Sequence, residues 1–341
     1  MGRYYPEKTF SVIYVCVLGS TFHNDFLFLA ATFDRLCRIS RHVMSRISTQ
    51  IRGYYLYSTY EIYSFFHFIT MVDINVNGKS ALITGGTRGL GYFIAESFVL
   101  NGASTIIITS RKSQACEDAK TQLEKLASEN GKSVKIISIP CDLSNEEATV
   151  EFFRKVSSQI SKLDILIANA GATYGASLPD HPVSAVKKVL DLNIAGVFHS
   201  IQLFQPLLEK SGTKEDPSRI VVVSSVAAAV STDFGGTYGY LASKAGVSHL
   251  ARNLAIQLGP RNINVNILAP GFFETKMTKF LVKTKSNELT SGNPLGRYGN
   301  PDDIQNAVLW LCCKQSSYIN GITLPVDGGL QLVGTSNLSK L

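Results

Sequence analysis

The sequence predicts an α/β fold: one domain built on a doubly wound parallel sheet with helices on both faces. From Lys79 onward, short β-branched runs alternate with longer amphipathic segments, a pattern typical of parallel βαβ units. The predicted strands are residues 80–84, 104–109, 134–140, 163–168, 219–224, 263–268 and 323–325. The predicted helices lie near residues 90–101, 114–130, 145–161, 184–209, 238–259 and 301–314.

The chain of 341 residues has room for one such domain, predicted to span residues 71–335, and 45% of its residues are apolar, enough for a buried core. Residues 1–70 differ from the rest, because they hold 16 of the 33 aromatic residues and show no sustained periodicity. We expect a poorly ordered extension or the product of an upstream start codon, since Met71 precedes a natural domain start.

The sequence of this extension gives little support for a membrane span or a secretory signal. Its longest apolar run, residues 10–19, has ten residues, which is too short to span a bilayer. That run lies beside no cluster of positive charge, so a secretory signal is not expected. A mitochondrial presequence remains open, because Arg35, Arg38, Arg41 and Arg46 lie among serines.

Cysteines and charge exclude several functional classes. The six cysteines form no C-x-x-C pair and no zinc-like spacing with histidine, which favours a reducing compartment and no structural metal. The net charge is +7, but the basic residues of the domain are dispersed among acidic ones. We therefore expect a solvated surface and no nucleic-acid partner.

The first predicted strand runs into a glycine-rich turn, TGGTRGLG at residues 84–91, which opens a helix. Gly85 permits the tight turn, Gly89 lets backbone approach a pyrophosphate, and Gly91 lets the helix pack closely on the sheet. The helix N-terminus then faces the anion with free N–H groups. The turn predicts a Rossmann-type dinucleotide site with contacts from Gly85, Thr87, Arg88, Gly89, Leu90 and Gly91.

The residues after the second strand indicate which dinucleotide binds. Where a carboxylate would accept hydrogen bonds from a ribose 2′-hydroxyl, the chain has Thr109-Ser110-Arg111-Lys112. Arg111, with Arg88 from the turn, is suited to a 2′-phosphate, so we expect NADP(H) rather than NAD(H). The alternative is that both arginines are merely solvated.

Tyr240 and Lys244 stand four residues apart on one predicted helix, which places a phenol beside an ammonium. A nearby cation favours tyrosinate, so we expect the pKa of Tyr240 to fall from its ordinary value of about 10 towards the range of a general acid or base.

With these motifs the chain resembles the short-chain dehydrogenase/reductase family over residues 75–330. The matching residues are TGGTRGLG, Cys141-Asp142-Leu143, Asn169-Ala170-Gly171, Asn193, Ser225, Tyr240-x-x-x-Lys244, Pro270-Gly271 and Asp327-Gly328-Gly329. Residues 180–198 and 206–225 look most like the 3-oxoacyl-carrier-protein reductase-like enzymes named for rhamnolipid biosynthesis and their fungal relatives.

The resemblance assigns further cofactor contacts. It implies that Asp142 and Leu143 contact the adenine, that Asn169 to Gly171 lie beside the cofactor, and that Thr275 hydrogen-bonds the nicotinamide carboxamide. Pro270 and Gly271 belong to the same cofactor-binding set. It also implies a homodimer or homotetramer formed through helices 184–209 and 238–259.

The resemblance also assigns catalytic roles. Ser225 binds the substrate oxygen, Tyr240 gives it a proton, Lys244 holds the nicotinamide ribose, and Asn193 positions a water. Two neighbours compete with these residues. Ser224 adjoins Ser225, and Tyr238 has the more usual spacing to the serine, but Tyr238 lacks a lysine four residues on.

The expected reaction interconverts a ketone and a secondary alcohol, with a 3-oxoacyl thioester or related carbonyl as substrate. The alternatives are a 2,4-dienoyl-CoA-type reductase and a non-catalytic NADP-binding scaffold. We expect residues 272–299 to form a lid in which Phe272, Met277, Phe280 and Leu281 line an acyl pocket. Lys276, Lys279, Lys283 and Lys285 could contact the phosphates of a thioester carrier, or they could form a solvated helix face.

The chain ends in a short polar tail, residues 336–341, whose last residues are Ser339-Lys340-Leu341. A terminal S-K-L is read by the peroxisomal import receptor. We therefore expect a peroxisomal location, with the cytoplasm as the alternative.

Overall fold

A computed structural model describes residues 74–230, 235–276, 278 and 289–333. The predicted extension, residues 1–70, and the predicted tail, residues 336–341, lie outside the described residues. Seven parallel strands form one sheet in the order β3-β2-β1-β4-β5-β6-β7. Their bounds are β1 Ser80–Thr84, β2 Thr105–Thr109, β3 Lys135–Ser138, β4 Ile165–Ala168, β5 Ser218–Val223, β6 Ile263–Pro270 and β7 Thr323–Val326.

Helices connect consecutive strands, as the alternation of patterns predicts. They are α1 Gly89–Leu100, α2 Ser113–Glu129, α3 Glu146–Ser157, α4 Val183–Leu190, α5 Val197–Glu209, α6 Tyr238–Leu258 and α7 Pro301–Cys312. Short 3₁₀ turns occur at Val226–Ala228, Gly259–Arg261, Lys314–Ser316 and Leu330–Leu332. Among the described residues, no helix is long and apolar enough to cross a membrane.

The segment predicted as one helix over residues 184–209 contains an interruption. A π-helical stretch, Asp191–Gly196, separates α4 from α5 and buries Asn193 and Gly196. A Cβ on Gly196 would lie 2.3 Å from the carbonyl oxygen of Leu143, so this turn packs directly on the chain that follows β3. Periodicity gave no sign of the interruption, because apolar residues continue on the same face.

Two apolar layers cover the two faces of the sheet. Ile83 of β1 packs with Ile94 and Phe98 of α1 on one face, whereas its neighbour Leu82 packs with Phe152 and Phe204 on the other. Successive residues of a strand point to opposite faces, and both are buried here. The structure thus confirms the predicted doubly wound sheet with helices on both sides.

Candidate active site

The sheet reverses its order between β1 and β4, which places the loops after these strands side by side at the carboxyl end of the sheet. The turn after β1 has Gly85 and Gly89 in left-handed conformations, with φ of 65° and 55°. A Cβ on Gly91 would lie 2.4 Å from both Asn169 Nδ2 and the Gly85 carbonyl oxygen. A larger residue at Gly91 would therefore push α1 away from the turn.

Asn169, directly after β4, holds the turn in place. Its Nδ2 donates to the carbonyl oxygens of Thr84 (2.9 Å) and Gly85 (3.2 Å). Its backbone N–H donates to the hydroxyl of Thr84 at 2.9 Å. The structure thus places Asn169 behind the glycine-rich turn, where its amide is used for positioning.

The two arginines predicted to recognise a 2′-phosphate lie on adjacent turns. Strands β1 and β2 pair with Thr84 opposite Thr109, and Arg88 and Arg111 follow these residues at the same edge. Both side chains are exposed, and within the described part of the chain neither has an ion pair with a carboxylate.

The residues after β3 complete this end of the site. Asp142 accepts hydrogen bonds from the backbone N–H and hydroxyl of Ser144, at 3.1 and 2.7 Å, so its carboxylate closes a local turn. Leu143 is buried in the core layer that contains Phe152.

The loop after β6 approaches the glycine-rich turn. A Cβ on Gly89 would meet the Thr275 methyl at 3.4 Å, and the Thr275 hydroxyl is hydrogen-bonded to that of Thr278 at 3.2 Å. Pro270 ends β6, and the N–H of Gly271 donates to the Val326 carbonyl at 3.0 Å. The glycine-lined turn at a helix N-terminus, with Thr275 beside it, fits a dinucleotide pyrophosphate and its nicotinamide end.

Ser225 and Tyr240 meet at the end of β5. The Ser225 hydroxyl lies beside the Tyr240 phenol, and it accepts a hydrogen bond from the N–H of Ala227 at 3.2 Å. Ser224 has a different role, since its hydroxyl bonds the Lys244 carbonyl and the Ser248 hydroxyl at 3.0 and 2.7 Å. Ser224 therefore fastens β5 to α6, and only Ser225 reaches the phenol.

Lys244 is buried beneath this pair. Its Nζ donates to the Val223 carbonyl at 2.8 Å and lies 5.6 Å from the centroid of the Tyr240 ring. Burial disfavours the ammonium and lowers the pKa of Lys244 to about 8.

The prediction that Lys244 lowers the pKa of Tyr240 is wrong for this structure. Burial raises the pKa of the Tyr240 phenol, and the hydrogen bond from Ser225 offsets only part of this effect. The lysine points to a carbonyl and sits over the ring face, so desolvation outweighs its attraction for the phenolate. The phenol is thus held in its protonated form.

Asn193 links three segments of the site from within the π-helical stretch. Its Oδ1 accepts from the N–H of Ala172 at 2.9 Å, and its Nδ2 donates to the Ala172 carbonyl at 3.0 Å. The same Nδ2 donates to the Ser243 hydroxyl at 2.9 Å, which in turn donates to the Tyr240 carbonyl. The amide therefore fixes the loop after β4 against the first turn of α6.

With this geometry established, comparison with known proteins identifies the family. Residues 85–331 match the family model described as enoyl-(acyl carrier protein) reductase. The chain belongs to the short-chain dehydrogenase/reductase family. As a member it is an oxidoreductase, and the resemblance drawn from the motifs is confirmed.

Three comparisons within the family illustrate its range. The rhamnolipids biosynthesis 3-oxoacyl-[acyl-carrier-protein] reductase of Pseudomonas aeruginosa is 36% identical over 257 residues, covering 75% of this chain and 97% of that protein. The RhlG/NADP active-site complex from Pseudomonas aeruginosa has a TM-score of 0.71 and 34% identity, covering 76% and 98% of the two chains. A 7α-hydroxysteroid dehydrogenase complexed with NADH and 7-oxo glycochenodeoxycholic acid has a TM-score of 0.67 and 32% identity, covering 77% and 98%.

Sequence reasoning missed two residues that the family comparison does not supply either. Ser243 carries the connection from Asn193 to α6, and a serine between Tyr240 and Lys244 gave no separate signal. The His181 ring lies edge-on to Tyr174 and Tyr238, 5.3 Å from each centroid, and both its nitrogens are buried without a hydrogen-bond partner among the residues that the structure describes. Tyr238, the rejected alternative to Tyr240, thus packs on a histidine.

The predicted acyl pocket is described only in part. Phe272 packs against Val226 and Leu330, whereas Met277, Phe280 and Leu281 lie outside the described residues. In the described ranges, no three histidine, cysteine or acidic side chains come together in a way that could hold a metal ion.

Proposed function

We propose that this reductase interconverts a ketone and a secondary alcohol with NADP(H), and that its substrate is a 3-oxoacyl thioester. One observation carries the assignment of the reaction: the Ser225 hydroxyl lies beside the Tyr240 phenol and above the buried Lys244, at the carboxyl end of the sheet, where the glycine-rich turn also lies. The thioester is supported by the relative that acts in rhamnolipid biosynthesis as a 3-oxoacyl-[acyl-carrier-protein] reductase.

The cofactor would be held by groups already described. The backbone of the glycine-rich turn takes the pyrophosphate, Arg88 and Arg111 the 2′-phosphate, and Thr275 the nicotinamide end. When bound, NADPH supplies the hydride for carbonyl reduction. Of the two solved structures compared above, one contains NADP and the other NADH. The preference for NADP proposed here therefore rests on the two arginines and on the missing carboxylate after β2.

The chain's own residues manage the substrate oxygen and its proton. The hydroxyls of Ser225 and Tyr240 are hydrogen-bond donors for a carbonyl oxygen placed between them. Because burial keeps Tyr240 protonated, the phenol is ready to give its proton to that oxygen as negative charge develops. The Lys244 ammonium, 5.6 Å from the centroid of the Tyr240 ring, then stabilises the phenolate that remains.

The two alternative functions are less consistent with this site. Reduction of a carbon–carbon double bond does not require two hydroxyl donors aimed at one oxygen, so a dienoyl-CoA reductase leaves the Ser225–Tyr240 pair unexplained. A non-catalytic scaffold leaves the buried Lys244 unexplained, since burying an ammonium disfavours folding. The carbonyl reductase uses both features.

Replacement of Tyr240 tests the proposed reaction. Tyr240→Phe removes the proton donor and keeps the ring, so NADPH oxidation with a 3-oxoacyl-CoA should fall by at least about a hundredfold. NADPH binding, followed by its fluorescence, should remain within about twofold. Tyr238→Phe is the matched control and should keep its turnover. Equal turnover of Tyr240→Phe and the parent chain would overturn the assignment.

Replacement of Arg111 tests the cofactor preference. Arg111→Gln removes a charge-assisted contact worth about 1.5–3 kcal/mol, so NADPH should bind roughly tenfold to a hundredfold more weakly while NADH binding stays unchanged. Lys132→Gln serves as the control, because Lys132 is an exposed cation that precedes β3, at the amino end of the strands. Parallel losses for NADPH and NADH would contradict a contact with the 2′-phosphate.

The pH dependence follows from the pKa of Lys244. Below a pH of about 8 the buried amine is an ammonium, and above it the charge is lost while Tyr240 stays protonated. We expect kcat/KM for ketone reduction to be level below this pH and to fall about tenfold per unit above it. A profile that stays level between roughly pH 7 and 10 would show that the lysine charge does not support reduction.

We further propose a peroxisomal location, supported by the terminal Ser339-Lys340-Leu341, and a homodimer or homotetramer. The large exposed side chains Phe198 on α5 and Ile256 on α6 support association along these helices.

Deletion of Leu341 tests the proposed address. The full chain fused at its N-terminus to a fluorescent protein should collect in peroxisomes of a eukaryotic cell, and the chain without Leu341 should remain in the cytosol. A Leu338→Ala variant leaves the tripeptide intact and should be imported. Identical distribution of all three proteins would refute the tripeptide as the signal.

A further inference from the structure

A cavity of about 510 Å³ opens at the carboxyl ends of β6 and β7. This volume lies within the range of about 300–1,000 Å³ found for small-molecule sites. Four parts of the chain form its walls: Phe272 and Phe273 after β6, residues 325–329 at the end of β7, residues 293–299 before α7, and Asp303 in α7. The cavity is separate from the glycine-rich turn and from the Ser225–Tyr240 pair.

The walls are preformed by close backbone contacts. A Cβ on Gly299 would lie 2.4 Å from the Phe273 ring, and one on Gly271 would lie 2.8 Å from Asp327 Cα. Asn293 Nδ2 donates to the Asp327 carbonyl at 2.8 Å, which joins the segment before α7 to the end of β7. Such contacts leave little freedom for the walls to close on each other.

One wall residue connects the cavity with the catalytic serine. Phe272 lines the cavity and also packs in a small apolar cluster with Val226, Val230 and Leu330. Val226 follows Ser225 directly and begins the short 3₁₀ turn after β5. Apolar side chains therefore connect the segment after Ser225 with the wall of the cavity.

The lining combines apolar side chains with charged groups that already have partners. The apolar surface comes from Phe272, Phe273, Leu295, Pro325 and Val326, and Leu295 as a whole is 63% exposed. Arg297 is held by two hydrogen bonds to the Asp303 carboxylate, and the Asp327 carboxylate accepts from the N–H groups of Gly329 and Gln331.

The balance of charge decides which part of a thioester fits. Two carboxylates and one guanidinium line the cavity, so a carrier phosphate or a free carboxylate would be repelled. The exposed apolar side chain of Leu295 instead gains from contact with hydrocarbon.

We propose that this cavity binds the methyl-terminated aliphatic tail of the substrate. The inference rests on the proposed thioester function and extends it: chains of medium length reach past Phe272, whereas a four-carbon chain does not. Leu295 and Phe272 are then the side chains that set the preferred chain length. Each methylene that enters the cavity should tighten binding about fourfold until the space is filled.

The test measures binding of saturated acyl-CoA esters, from butanoyl to dodecanoyl, to the full chain by calorimetry in the presence of NADP⁺. These esters carry no 3-oxo group, so binding is read without turnover. Affinity should rise with chain length and reach a plateau. Leu295→Trp fills the cavity and should bring the plateau to shorter chains, with at least a tenfold loss for dodecanoyl-CoA and less than twofold for butanoyl-CoA.

Two further variants make the result decisive. Leu295→Ala enlarges the opening and should extend the plateau to longer chains, while Tyr318→Trp, at a fully exposed position before β7, should leave the profile unchanged. Profiles that coincide for the parent chain and Leu295→Trp would overturn the proposal, as would absence of binding at every length. A changed oligomeric state in Leu295→Trp with an unchanged profile would also overturn it and would assign the cavity to a second copy of the chain.

Failure of the proposed function has a different signature. If the binding profile behaves as expected but no 3-oxoacyl-CoA is reduced, the cavity binds aliphatic chains and the assigned reaction is wrong. If 3-oxoacyl-CoA is reduced but binding is independent of chain length, the reaction stands and the tail lies elsewhere.

Discussion

The amide of Asn169 joins the two strands between which the sheet reverses its order, and the rest of the site depends on that junction. The side-chain Nδ2 donates to the carbonyl oxygens of Thr84 and Gly85 at the end of β1. The backbone N–H of Asn169 donates to the Thr84 hydroxyl. These bonds fix the glycine-rich turn relative to the loop after β4. Asn193 then holds the next residues of that loop against α6. Two asparagines therefore set the distance between the turn after β1 and the helix that carries Tyr240 and Lys244.

Burial, rather than attraction between neighbours, governs the titration of the catalytic groups. The ordinary pKa of lysine is 10.5, and in Lys244 it is about 8, which corresponds to a cost of about 3 kcal/mol for keeping the ammonium in the protein at low pH. Because the folded-state pKa lies below the unfolded one, this cost is present in full below pH 8. It fades as the pH rises towards 10.5. A buried lysine that weakens the fold in this way is typical of a functional site.

The sequence was most informative where structure depends on local pattern. All seven strands lie where β-branched runs predicted them, since a parallel sheet covered on both faces requires continuous apolar segments. The glycine-rich turn was equally readable, because its positive φ angles demand glycine. The π-helical stretch at Asn193 was not, because it is set by packing against the Leu143 carbonyl, which is distant in sequence. The pKa of Tyr240 was misjudged for a related reason: spacing along a helix reveals a charged neighbour, but it does not reveal desolvation.

Different parts of the fold contact the cofactor and the substrate, and this difference explains why the reaction is easier to assign than the substrate. Cofactor-facing positions are formed largely by backbone and glycine at the ends of β1 and β4, whose geometry the sheet dictates. Substrate-facing positions are side chains after β5 and β6, such as Phe272 and Val226, whose identities the sheet leaves open. Two relatives that are similar to this chain by 36% and 32% identity differ in the substrate that their names give: an acyl-carrier-protein thioester in one and a bile acid in the other. A shared sheet therefore fixes hydride chemistry at one edge, while the apolar residues beyond Ser225 decide which ketone reaches it.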